Sequence, residues 1–444
     1  MKKVRTITAV LVGAGGRGAG AYAPYALSHP DELKIVAVAE PDGIRREKVR
    51  TNYNITKEMC FESWEDLIDR PQLADTALIC TQDRMHYEPA IKLMGKGYHL
   101  LLEKPMATDP LECIKIAEYA EWHQRKVCVC HVLRYTPFFS QIKNLIMQGR
   151  IGKIIAIQHN ENVGYWHQAM SYVRGPWRRS DLASPMILAK CCHDMDIILW
   201  LTGSNCKRIA SYGSLSFFRK ENAPKDAPEY CQEGCPYEAE CPWYAPRFYL
   251  KNPQFLEWGT GVDQSADYRV KMAALRHSTH GRCVFQCDND VVDHQVAIME
   301  LENDITVAFT MCAFTNEINR TLKIMGTKGE LRANMVRNEI EVTEFVSSRV
   351  EVYKLQQSLE GHAGGDEGLM RDFVRFMQPD YQGEVKSSAR VSLQSHLMAF
   401  AAEKSRLEGI TVQMDDYVEE IQKRLLEDAS QNGPWQRPGW RLRI

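Results

Sequence analysis

The chain has 444 residues, of which 44% are hydrophobic and 25% charged, a composition that is ordinary for a globular protein. Its formal net charge is −2, so no overall field attracts nucleic acid or an anionic membrane surface. No apolar run approaches the roughly 20 residues that span a bilayer, and the short run Ile7 to Val12 after the basic N-terminus lacks a small-residue cleavage site. We therefore expect a cytoplasmic protein with neither a nucleic-acid nor a membrane partner.

Residues 7 to about 130 alternate between apolar, strand-like runs and helical patterns. This alternation is typical of a doubly wound parallel sheet with helices on both faces. In such a sheet, ligands bind outside the carboxyl ends of the strands. The predicted strands are 7–12, 33–39, 76–80, 99–102 and 126–131, and the predicted helices are 15–28, 43–52, 63–69, 87–96 and 109–124.

A glycine-rich turn in the pattern G-x-G-x-x-G stands between the first predicted strand and the first predicted helix. The first glycine of this pattern permits a tight turn, the second lets the backbone approach a pyrophosphate, and the third lets helix and strand pack closely. The helix N-terminus offers free N–H groups to the anion. An acid at the end of the next strand is placed to bind an adenosine ribose. The spacing therefore predicts a dinucleotide site formed by Gly13, Gly15, Gly16, Arg17, Gly18 and Glu40.

The charges beside this site bear on which dinucleotide is bound. Glu40 would repel the 2′-phosphate of NADP, which favours NAD. Arg45 and Arg46 follow closely and could neutralise such a phosphate, or could equally form the solvated start of the next helix. The sequence therefore predicts NAD and leaves NADP open.

Beyond about residue 150, strand-like stretches dominate the chain. We expect a second, α+β domain with a large, mostly antiparallel sheet. The predicted division is a dinucleotide-binding domain at 1–132 and a substrate and oligomerisation domain at 133–444, with a cysteine-rich insert at about 219–290 and C-terminal helices. The predicted strands are 153–160, 207–218, 292–300, 305–314, 320–326 and 338–355, the predicted helices lie near 190–202, 263–276, 364–379 and 388–408, and 219–260 and 433–444 are predicted to be irregular.

Several blocks of sequence follow one another in the order typical of one enzyme family. They are the glycine loop with Glu40, Thr81 to Ala90, Glu103 to Ala107, Arg134 to Pro137 with Gly149 to Gly152, and His193 to Gly203, and a weaker block runs from Ile324 to Leu331. Together, mainly across residues 5–205, they resemble the Gfo/Idh/MocA family of NAD(P)-dependent oxidoreductases. The Glu-Lys-Pro step at Glu103 to Pro105 is the most specific of these blocks.

The resemblance implies roles for individual residues. In the family, the lysine of the Glu-Lys-Pro step contacts the substrate hydroxyl and takes part in proton transfer, which points to Lys104. The histidine that opens the last strong block acts as general base or orients the hydroxyl, which points to His193. Asp196 could fix the tautomer of that histidine or bond to the backbone. Cofactor contacts are implied for Thr81, His86, Glu103 and Lys104, and a capping or packing role fits His86 equally well.

One position departs from the family pattern. Many relatives carry an aspartate four residues before the catalytic histidine, and here that position is Ala189, followed by Lys190. The acid–base set is therefore predicted to be Lys104, Lys190 and His193, with Asp194 assisting. Alternatively, Lys190 binds a carboxylate of the substrate.

An aromatic and charged loop begins in the second domain after residue 164. Aromatic rings with Arg and His side chains suit stacking on sugars and binding of hydroxyl or acid groups, and a packed surface loop is the other interpretation. The step Asp293-His294 could line the substrate pocket from the sheet or supply metal ligands. A later loop, Gly361 to Asp366, carries a His–Asp pair that could reach the active site. The predicted substrate residues are Tyr165, Trp166, His167, Arg178 and His294.

Five cysteines fall in two tight groups within the insert, although the family fold does not need them. Thiolates at such spacings can bind Zn²⁺ in a closed tetrahedral site. An iron–sulfur cluster, disulfides and free thiols are the alternatives. Because no secretory signal is recognised, the 14 cysteines are expected to be mostly reduced. The predicted zinc ligands are Cys231, Cys235, Cys241 and one of Cys283 and Cys287, with Cys287 preferred.

These expectations combine into one functional hypothesis. The chain is predicted to be an NAD-dependent oxidoreductase that transfers hydride to or from a ring hydroxyl of a sugar or glycoside. The runner-up is a redox-neutral glycosidase or lyase that keeps its NAD bound and works through a keto-sugar intermediate. A cofactor-bound regulator without turnover is the third interpretation. The expected partner is a carbohydrate substrate, and a homo-oligomer is expected because relatives commonly associate through the open face of the second sheet.

Overall fold

Two β-sheets frame the chain in this computed structural model, which describes residues 5–356, 361–383 and 385–431. The first sheet has six parallel strands: β1 (Ile7–Val12), β2 (Leu33–Ala39), β3 (Cys60–Phe61), β4 (Thr76–Ile79), β5 (His99–Leu102) and β6 (Val127–Val129). Their order is β3-β2-β1-β4-β5-β6, so the direction of winding reverses between β1 and β4. This order confirms the predicted doubly wound α/β unit, and it places a crevice at the carboxyl ends of β1 and β4.

The strands of the first sheet are buried on both faces, as their aliphatic side chains predict. Val10, Leu11 and Leu101 are 0% exposed. The connecting helices are α1 (Tyr25–Ser28), α2 (Gly43–Asn52), α3 (Glu65–Ile68), α4 (Tyr87–Gly95) and α5 (Pro110–Trp122). The start of α5 is as predicted, because the Asp109 carboxylate accepts a hydrogen bond from the Leu111 amide (2.7 Å) and Pro110 fills the first turn.

The helix predicted over residues 15–28 is interrupted. A π-helical turn spans Gly18–Tyr22, and α1 begins only at Tyr25. Pro24 has no amide hydrogen to donate to the carbonyl of Gly20, so the regular α-helical ladder cannot pass through it. The chain instead uses wider bonds, such as the one from the Ala23 amide to the Gly18 carbonyl (2.9 Å).

The second sheet has nine strands and is mixed but mostly antiparallel, as predicted. They are β7 (Ile154–Asn162), β8 (Cys206–Ser214), β9 (His294–Leu301), β10 (Thr306–Cys312), β11 (Asn319–Gly326), β12 (Gly329–Asn334), β13 (Glu339–Glu344), β14 (Val350–Lys354) and β15 (Val412–Gln413). Their order is β14-β13-β12-β11-β7-β10-β9-β8-β15, and β7 pairs with β10 in parallel. The run predicted as one strand at 338–355 is a hairpin of β13 and β14.

The two faces of the second sheet differ. Inward residues such as Ala297 and Met299 are buried in the apolar core with two helices, α9 (Cys192–Thr202) and α14 (Ala389–Glu408). On the other face, Tyr212 is 69% exposed and Ile298 56% exposed. The remaining helices are α6 (Pro137–Met147), α7 (Tyr165–His167), α8 (Met186–Ala189), α10 (Ala245–Lys251), α11 (Pro253–Thr260), α12 (Tyr268–Arg276), α13 (Gly365–Met377) and α15 (Met414–Gln431).

The insert is more regular than expected. Helices α10 and α11 lie within 219–260, which was predicted to be irregular. Each has a proline in its first turn, at Pro246 and Pro253, a position where proline favours a helix. The irregular tail predicted at 433–444 lies outside the described residues.

The C-terminal part of the chain returns to the first sheet. Leu369, Met370 and Phe373 of α13 pack in the same core as Ile7 and Leu11. This packing of α13 places the loop before it, Gly361–Gly364, at the edge of the first sheet where the glycine turn lies. A division at residue 132 remains a proposal, because α13 helps to cover the sheet of the first unit. Within the described ranges, no helix combines the length and apolar character needed to cross a membrane.

Candidate active site

The glycine turn has the shape that its sequence predicts. Gly13 has φ +89°, and a Cβ there would lie 2.7 Å from the Cys80 carbonyl oxygen. A Cβ on Gly18 would lie 2.1 Å from the Gly13 carbonyl oxygen. Neither position can therefore hold a larger residue without moving the backbone. Gly15 is open, with no neighbour closer than 3.9 Å to an added Cβ, which leaves room for a pyrophosphate against its backbone.

Glu40 lies directly beside this turn. Its Oε2 accepts a hydrogen bond from the Ala14 amide (2.6 Å), and its Oε1 accepts one from the Asp42 amide (3.0 Å). Each carboxylate oxygen keeps a second lone pair for a ribose hydroxyl. Of the two arginines that could accept a 2′-phosphate, Arg46 is bound to the Pro41 carbonyl and Glu62. Arg45 is about half exposed and its Nη1 lies 3.9 Å from a Cβ on Gly15.

Arg17 joins the glycine turn to two distant segments. Its Nε donates to Glu103 Oε1 (2.7 Å), and its Nη2 donates to Asp366 Oδ1 (2.7 Å). Its Nη1 lies 3.1 Å from His362 Nδ1, and His362 also contacts Asp366 (3.0 Å). The His–Asp loop therefore reaches the glycine turn. Burial opposes ionisation of Glu103, but Arg17 and Lys104 more than offset it, so the pKa of Glu103 lies below its usual value.

Lys104 is fixed between the two sheets. The Lys104–Pro105 peptide bond is cis, and the Lys104 amide donates to Glu103 Oε2 (2.7 Å). The Lys104 ammonium donates to the Ala189 carbonyl oxygen (2.8 Å), at the end of α8 and just before α9. Its charge is thus held beside the first turn of the helix that carries His193.

His193 is a buried, neutral imidazole. It is 6% exposed, and its ring lies 5.9 Å from the ring of His131 and 6.4 Å from that of His362. Burial, followed by the ammonium of Lys104, lowers the pKa of His193 well below its usual value. Its Nδ1 has no hydrogen-bond partner in the described ranges. A neutral ring beside a lysine cation can accept a proton from a substrate hydroxyl.

Asp196 has neither of the two roles predicted for it. Within the described residues, it neither holds the His193 ring nor accepts a hydrogen bond from the backbone. It forms a bidentate ion pair with Arg134 (2.6 and 2.7 Å) and lies 3.7 Å from His131. The helix geometry explains this. Asp196 lies one turn beyond His193 on α9 and faces the segment between β6 and α6, which contains Arg134.

Asp194 is also engaged elsewhere. It accepts hydrogen bonds from His159 (2.7 Å) and from Arg320 (2.8 Å), both on strands of the second sheet. Burial opposes its ionisation, but Arg320 and His159 more than offset this, so the pKa of Asp194 lies below its usual range. These partners make Asp194 an anchor for α9 on the sheet, and its predicted assistance to catalysis would act through that placement.

Lys190 has an acidic partner that the sequence analysis missed. Its ammonium lies 3.5 Å from Glu161 Oε1, and Glu161 Oε2 lies 2.6 Å from the Arg320 guanidinium. Burial raises the pKa of Glu161, and Arg320 and Lys190 oppose that shift. Burial lowers the pKa of Lys190. The available signal was the alternation in β7, where His159 and Glu161 occupy inward positions that an ordinary core strand gives to apolar residues.

Three of the predicted substrate residues lie near this cluster or on the same loop. Burial, followed by the charge of Lys190, lowers the pKa of His167 well below its usual value, so His167 faces the same group of cations. The Trp166 ring lies 5.7 Å from that of His167 and 5.3 Å from that of Phe255. Tyr165 contributes its carbonyl oxygen to the Trp243 indole (3.2 Å).

The other two predicted substrate residues have different surroundings. Arg178 forms an ion pair with Asp288 of the insert (2.8 Å). His294 pairs with Asp293 (2.7 Å), and it shares the strand face of the exposed Ile298. Both are therefore engaged by local carboxylates, at Asp288 and Asp293.

Two predicted cofactor residues after β4 serve the loop itself. The Thr81 hydroxyl donates to the Met85 carbonyl (2.9 Å). The two ring nitrogens of His86 face the carbonyl oxygens of Pro105 (2.6 Å) and Thr81 (3.0 Å). These contacts of the His86 ring favour the packing role over a cofactor contact. Because the Thr81 hydroxyl is bound to Met85, a cofactor contact by Thr81 would use its backbone.

The predicted zinc site is not supported. All 14 cysteines are free thiols, and the described part of the chain contains no group of three or more His, Cys, Asp or Glu side chains that could hold a metal ion. Cys231 is buried with Met170 and Tyr249, and Cys283 is buried with Phe285. Cys287 donates to the Cys283 carbonyl (3.3 Å), and Cys235 and Cys241 are only partly buried.

Comparison with known proteins supports the same assignment of fold. Residues 7–131 match the family profile described as "Oxidoreductase family, NAD-binding Rossmann fold", and residues 143–414 match "Oxidoreductase family, C-terminal alpha/beta domain". The putative oxidoreductase YteT of Bacillus subtilis is 24% identical over 355 residues, 74% of this chain and 80% of that protein. The crystal structure of the WlbA dehydrogenase of Bordetella pertussis with NADH and UDP-GlcNAcA superposes with a TM-score of 0.64 at 17% identity, covering 92% of this chain and 99% of that one.

Two further relatives match over shorter stretches. Inositol 2-dehydrogenase 2 of Saccharopolyspora erythraea is 30% identical over 140 residues, 31% of this chain and 37% of that protein. The 2,7-anhydro-N-acetylneuraminate hydratase of Escherichia coli is 25% identical over 185 residues, 41% of this chain and 46% of that protein. The two family profiles span both sheets and most of the chain. The chain belongs to the Gfo/Idh/MocA family of NAD-binding oxidoreductases.

Proposed function

We propose that the chain is an NAD-dependent oxidoreductase that transfers hydride to or from a carbon bearing a ring hydroxyl of a carbohydrate. The observation that carries this proposal is the convergence of a lysine cation and a neutral histidine beside the glycine turn. Lys104 donates to Ala189 over 2.8 Å just before the helix of His193, while Glu103, the residue before Lys104, binds Arg17 of the turn over 2.7 Å.

The residues of the glycine turn fit a dinucleotide. The φ of +89° at Gly13 and the open space at Gly15 form a cradle that a Cβ at Gly13 or Gly18 would disrupt. Gly13 to Gly18 would hold the diphosphate and Glu40 the adenosine ribose. The nicotinamide ring of such a cofactor accepts or returns the hydride. Glu40 favours NAD. Because Arg45 is nearby and could pair with a 2′-phosphate, the test below includes NADP.

The proton is assigned to Lys104 and His193. A hydroxyl that loses hydride from its carbon must also lose its proton, and a neutral imidazole can take it. The Lys104 ammonium stabilises the negative charge that develops on the same oxygen. The pKa of His193 lies well below its usual value because of burial and Lys104, which keeps the ring unprotonated at neutral pH.

The substrate class follows from the polar groups around this pair. The polar groups are the charged side chains of Lys190, Glu161 and Arg320 and the imidazole of His167. In a buried setting they offer donors and acceptors that suit hydroxyl and carboxylate groups. The names of two relatives, an inositol dehydrogenase and a hydratase of an anhydro-N-acetylneuraminate, both refer to polyhydroxylated substrates. We therefore propose a carbohydrate or a sugar acid, with Lys190 serving either as an acid–base group or as the partner of a substrate carboxylate.

The first experiment identifies the cofactor and the reaction together. Purified protein is denatured, any released nucleotide is identified by mass spectrometry, and sugars and sugar acids are screened for NADH formation with added NAD. Stoichiometric NADH with one substrate supports the oxidoreductase. If no nucleotide is bound and none of NAD, NADH, NADP or NADPH binds in a titration, the proposal fails.

A redox-neutral reaction is the second candidate. The hydratase relative favours it, and so does the extra acid–base pair of Lys190 and Glu161, 3.5 Å apart, because such a reaction must move a second proton as well as the hydroxyl proton. Cleavage of a glycoside, or addition of water, without added NAD and without net NADH would select this candidate. Accumulation of NADH with product would select the dehydrogenase.

We also propose that the exposed face of the second sheet joins two copies of the chain. Tyr212 and Ile298 are 69% and 56% exposed on that face. Apolar patches of this kind mark interaction surfaces. Light scattering should give an oligomer for the wild-type chain, and Ile298→Lys should shift it to the monomer. A monomeric wild type at micromolar concentration contradicts this proposal.

A further inference from the structure

A tryptophan of the insert lies against the glycine turn. A Cβ placed on Gly16 would lie 2.9 Å from Nε1, 3.0 Å from Cε2 and 3.2 Å from Cζ2 of Trp258, which belongs to α11. The indole therefore covers the backbone of Gly16 at contact distance. Trp258 and Gly16 also line one cleft of about 980 Å³ together with Arg17 and His362. A residue far along the chain thus becomes part of the wall of the proposed dinucleotide site.

The position of this indole is set by a row of aromatic rings. Trp166 stacks with Phe255 (5.3 Å between ring centroids), and Phe255 contacts Trp258 (6.1 Å). Phe248 stacks on Phe255 with an interplanar angle of 3° and on Trp166 at 5.9 Å. The buried Leu256 holds α11 on the insert. The row begins at Trp166, the residue next to His167. Packing between aromatic side chains therefore holds Trp258 against the glycine turn.

A second contact ties α11 to the other side of the proposed site. The Glu257 carboxylate lies 4.0 Å from the ammonium of Lys48, which is on α2 shortly after Glu40. This pair is partly exposed, so it contributes little to stability. It does show that α11 spans from the glycine turn toward the segment that follows Glu40.

The indole is chemically suited to a phosphate. Trp258 is 68% exposed, and its Nε1–H has no acceptor within the described ranges. An indole N–H is a donor only, and the diphosphate of a dinucleotide bound at Gly15 to Arg17 would bring acceptor oxygens to the surface that the ring covers. Bound cofactor would also bury apolar ring surface that is now in water.

We propose that Trp258 is a cofactor-binding residue: its ring covers the diphosphate at Gly16, and its Nε1–H donates to a phosphate oxygen. Release of the dinucleotide then requires α11 to move away from the turn, so the insert slows cofactor exchange. This inference rests on the proposed dinucleotide site. It assigns to the insert a role in retaining the cofactor, instead of the structural zinc site that its cysteines suggested.

The test measures the dissociation rate of NADH by stopped-flow fluorescence in wild type, Trp258→Ala and Trp258→Phe. Loss of a hydrogen bond to a charged group and of ring contact should raise the rate about tenfold in Trp258→Ala. Trp258→Phe keeps the ring and loses the donor, so its rate should lie between the other two. Trp122→Ala, a partly exposed tryptophan of α5, is the matched control and should leave the rate unchanged.

The possible results separate the inference from the proposed function. An unchanged dissociation rate in Trp258→Ala, with a normal melting temperature, overturns the role of Trp258 while the dinucleotide site stands. A wild-type protein that binds none of the four dinucleotides overturns both. A faster rate in Trp258→Ala with an unchanged rate in Trp122→Ala supports the inference, whichever substrate reaction the chain performs.

Discussion

The ammonium of Lys104 donates a hydrogen bond to the backbone carbonyl of Ala189, 2.8 Å away. Here a neutral carbonyl orients the lysine without taking up its charge. The lysine therefore keeps its full electrostatic effect on its other neighbours, and it lowers the pKa of His193 in addition to the effect of burial.

Lys104→Ala should abolish turnover and leave dinucleotide binding nearly unchanged. The variant removes the cation that stabilises charge on the substrate oxygen, and one such group contributes about a thousandfold to rate. Single-turnover kinetics measure the hydride step, and a fluorescence titration measures NADH affinity. The exposed Lys92→Ala on α4 is the control and should behave as wild type. Turnover within a few-fold of wild type in Lys104→Ala would remove this lysine from the catalytic pair.

Glu40→Ala should weaken NAD and improve the relative affinity for NADP. The variant removes the acceptor of ribose hydroxyls and the charge that repels a 2′-phosphate, while Arg45 remains near the turn. Because Glu40 also accepts from the Ala14 amide over 2.6 Å, part of the loss of NAD affinity will come from the turn itself. The ratio of the two dissociation constants separates these effects.

The control for that experiment is Glu47→Ala, an exposed glutamate of α2 paired with Arg50. It lies on the same helix as the arginines but does not contact the glycine turn. An NAD-to-NADP ratio that is the same in Glu40→Ala as in wild type would take Glu40 out of the ribose site.

The sequence predicts this site well where a local pattern fixes the backbone, and poorly where charges meet across the fold. The glycine turn and Lys104 stand in short motifs, so their positions follow from neighbouring residues. Glu161 and Arg320 lie on separate strands of the second sheet and meet only because β7 pairs with β11. The inward polar positions of β7 indicated that Glu161 is unusual, but no local sequence pattern identifies Arg320 as its partner.

The same reasoning explains the cysteines and the insert. Close spacing along the chain suggested a shared metal, but in the described part of the chain no group of side chains is arranged to hold one. The loop-rich composition of 219–260 did not indicate α10 and α11, which pack through Phe248 and Phe255 against Trp166, a residue far away in the sequence. Local sequence patterns predicted neither outcome.

Glu161→Gln should destabilise the fold by about 3 kcal/mol, because it leaves the buried Lys190 cation without its counter-charge. The double variant Glu161→Gln/Lys190→Met should recover part of that loss, since it removes the unpaired cation as well. Urea unfolding of the four proteins of this cycle gives the coupling energy. The exposed pair Glu339 and Lys354, 3.8 Å apart, is the control, and Glu339→Gln should change stability by less than about 1 kcal/mol. A coupling energy near zero would show that Glu161 and Lys190 do not interact in solution.

His396 holds a defined tautomer in the core. It is 0% exposed, its Nδ1 faces the Ser392 carbonyl (2.8 Å), and its Nε2 accepts a hydrogen bond from the Met106 amide (2.9 Å). Nδ1 therefore carries the proton and Nε2 carries none. Burial, followed by His131, lowers the pKa of His396 to about 3. Protonation would place a charge in the core and break the bond to Met106.

Because the folded pKa of His396 lies below the unfolded value of about 6.5, the unfolded chain binds the proton more readily, and stability should fall as pH drops below about 6.5. Each such histidine adds a slope of up to about 1.4 kcal/mol per pH unit, and the loss continues until pH approaches the folded pKa. His280, with a pKa lowered to about 4 by burial, adds to the same slope. His396→Gln, whose side-chain oxygen can still accept from Met106, should be less stable at neutral pH but lose less stability on acidification. Urea unfolding of both proteins between about pH 7 and about pH 5 measures the two slopes, and equal slopes would mean that His396 is not held neutral by the fold.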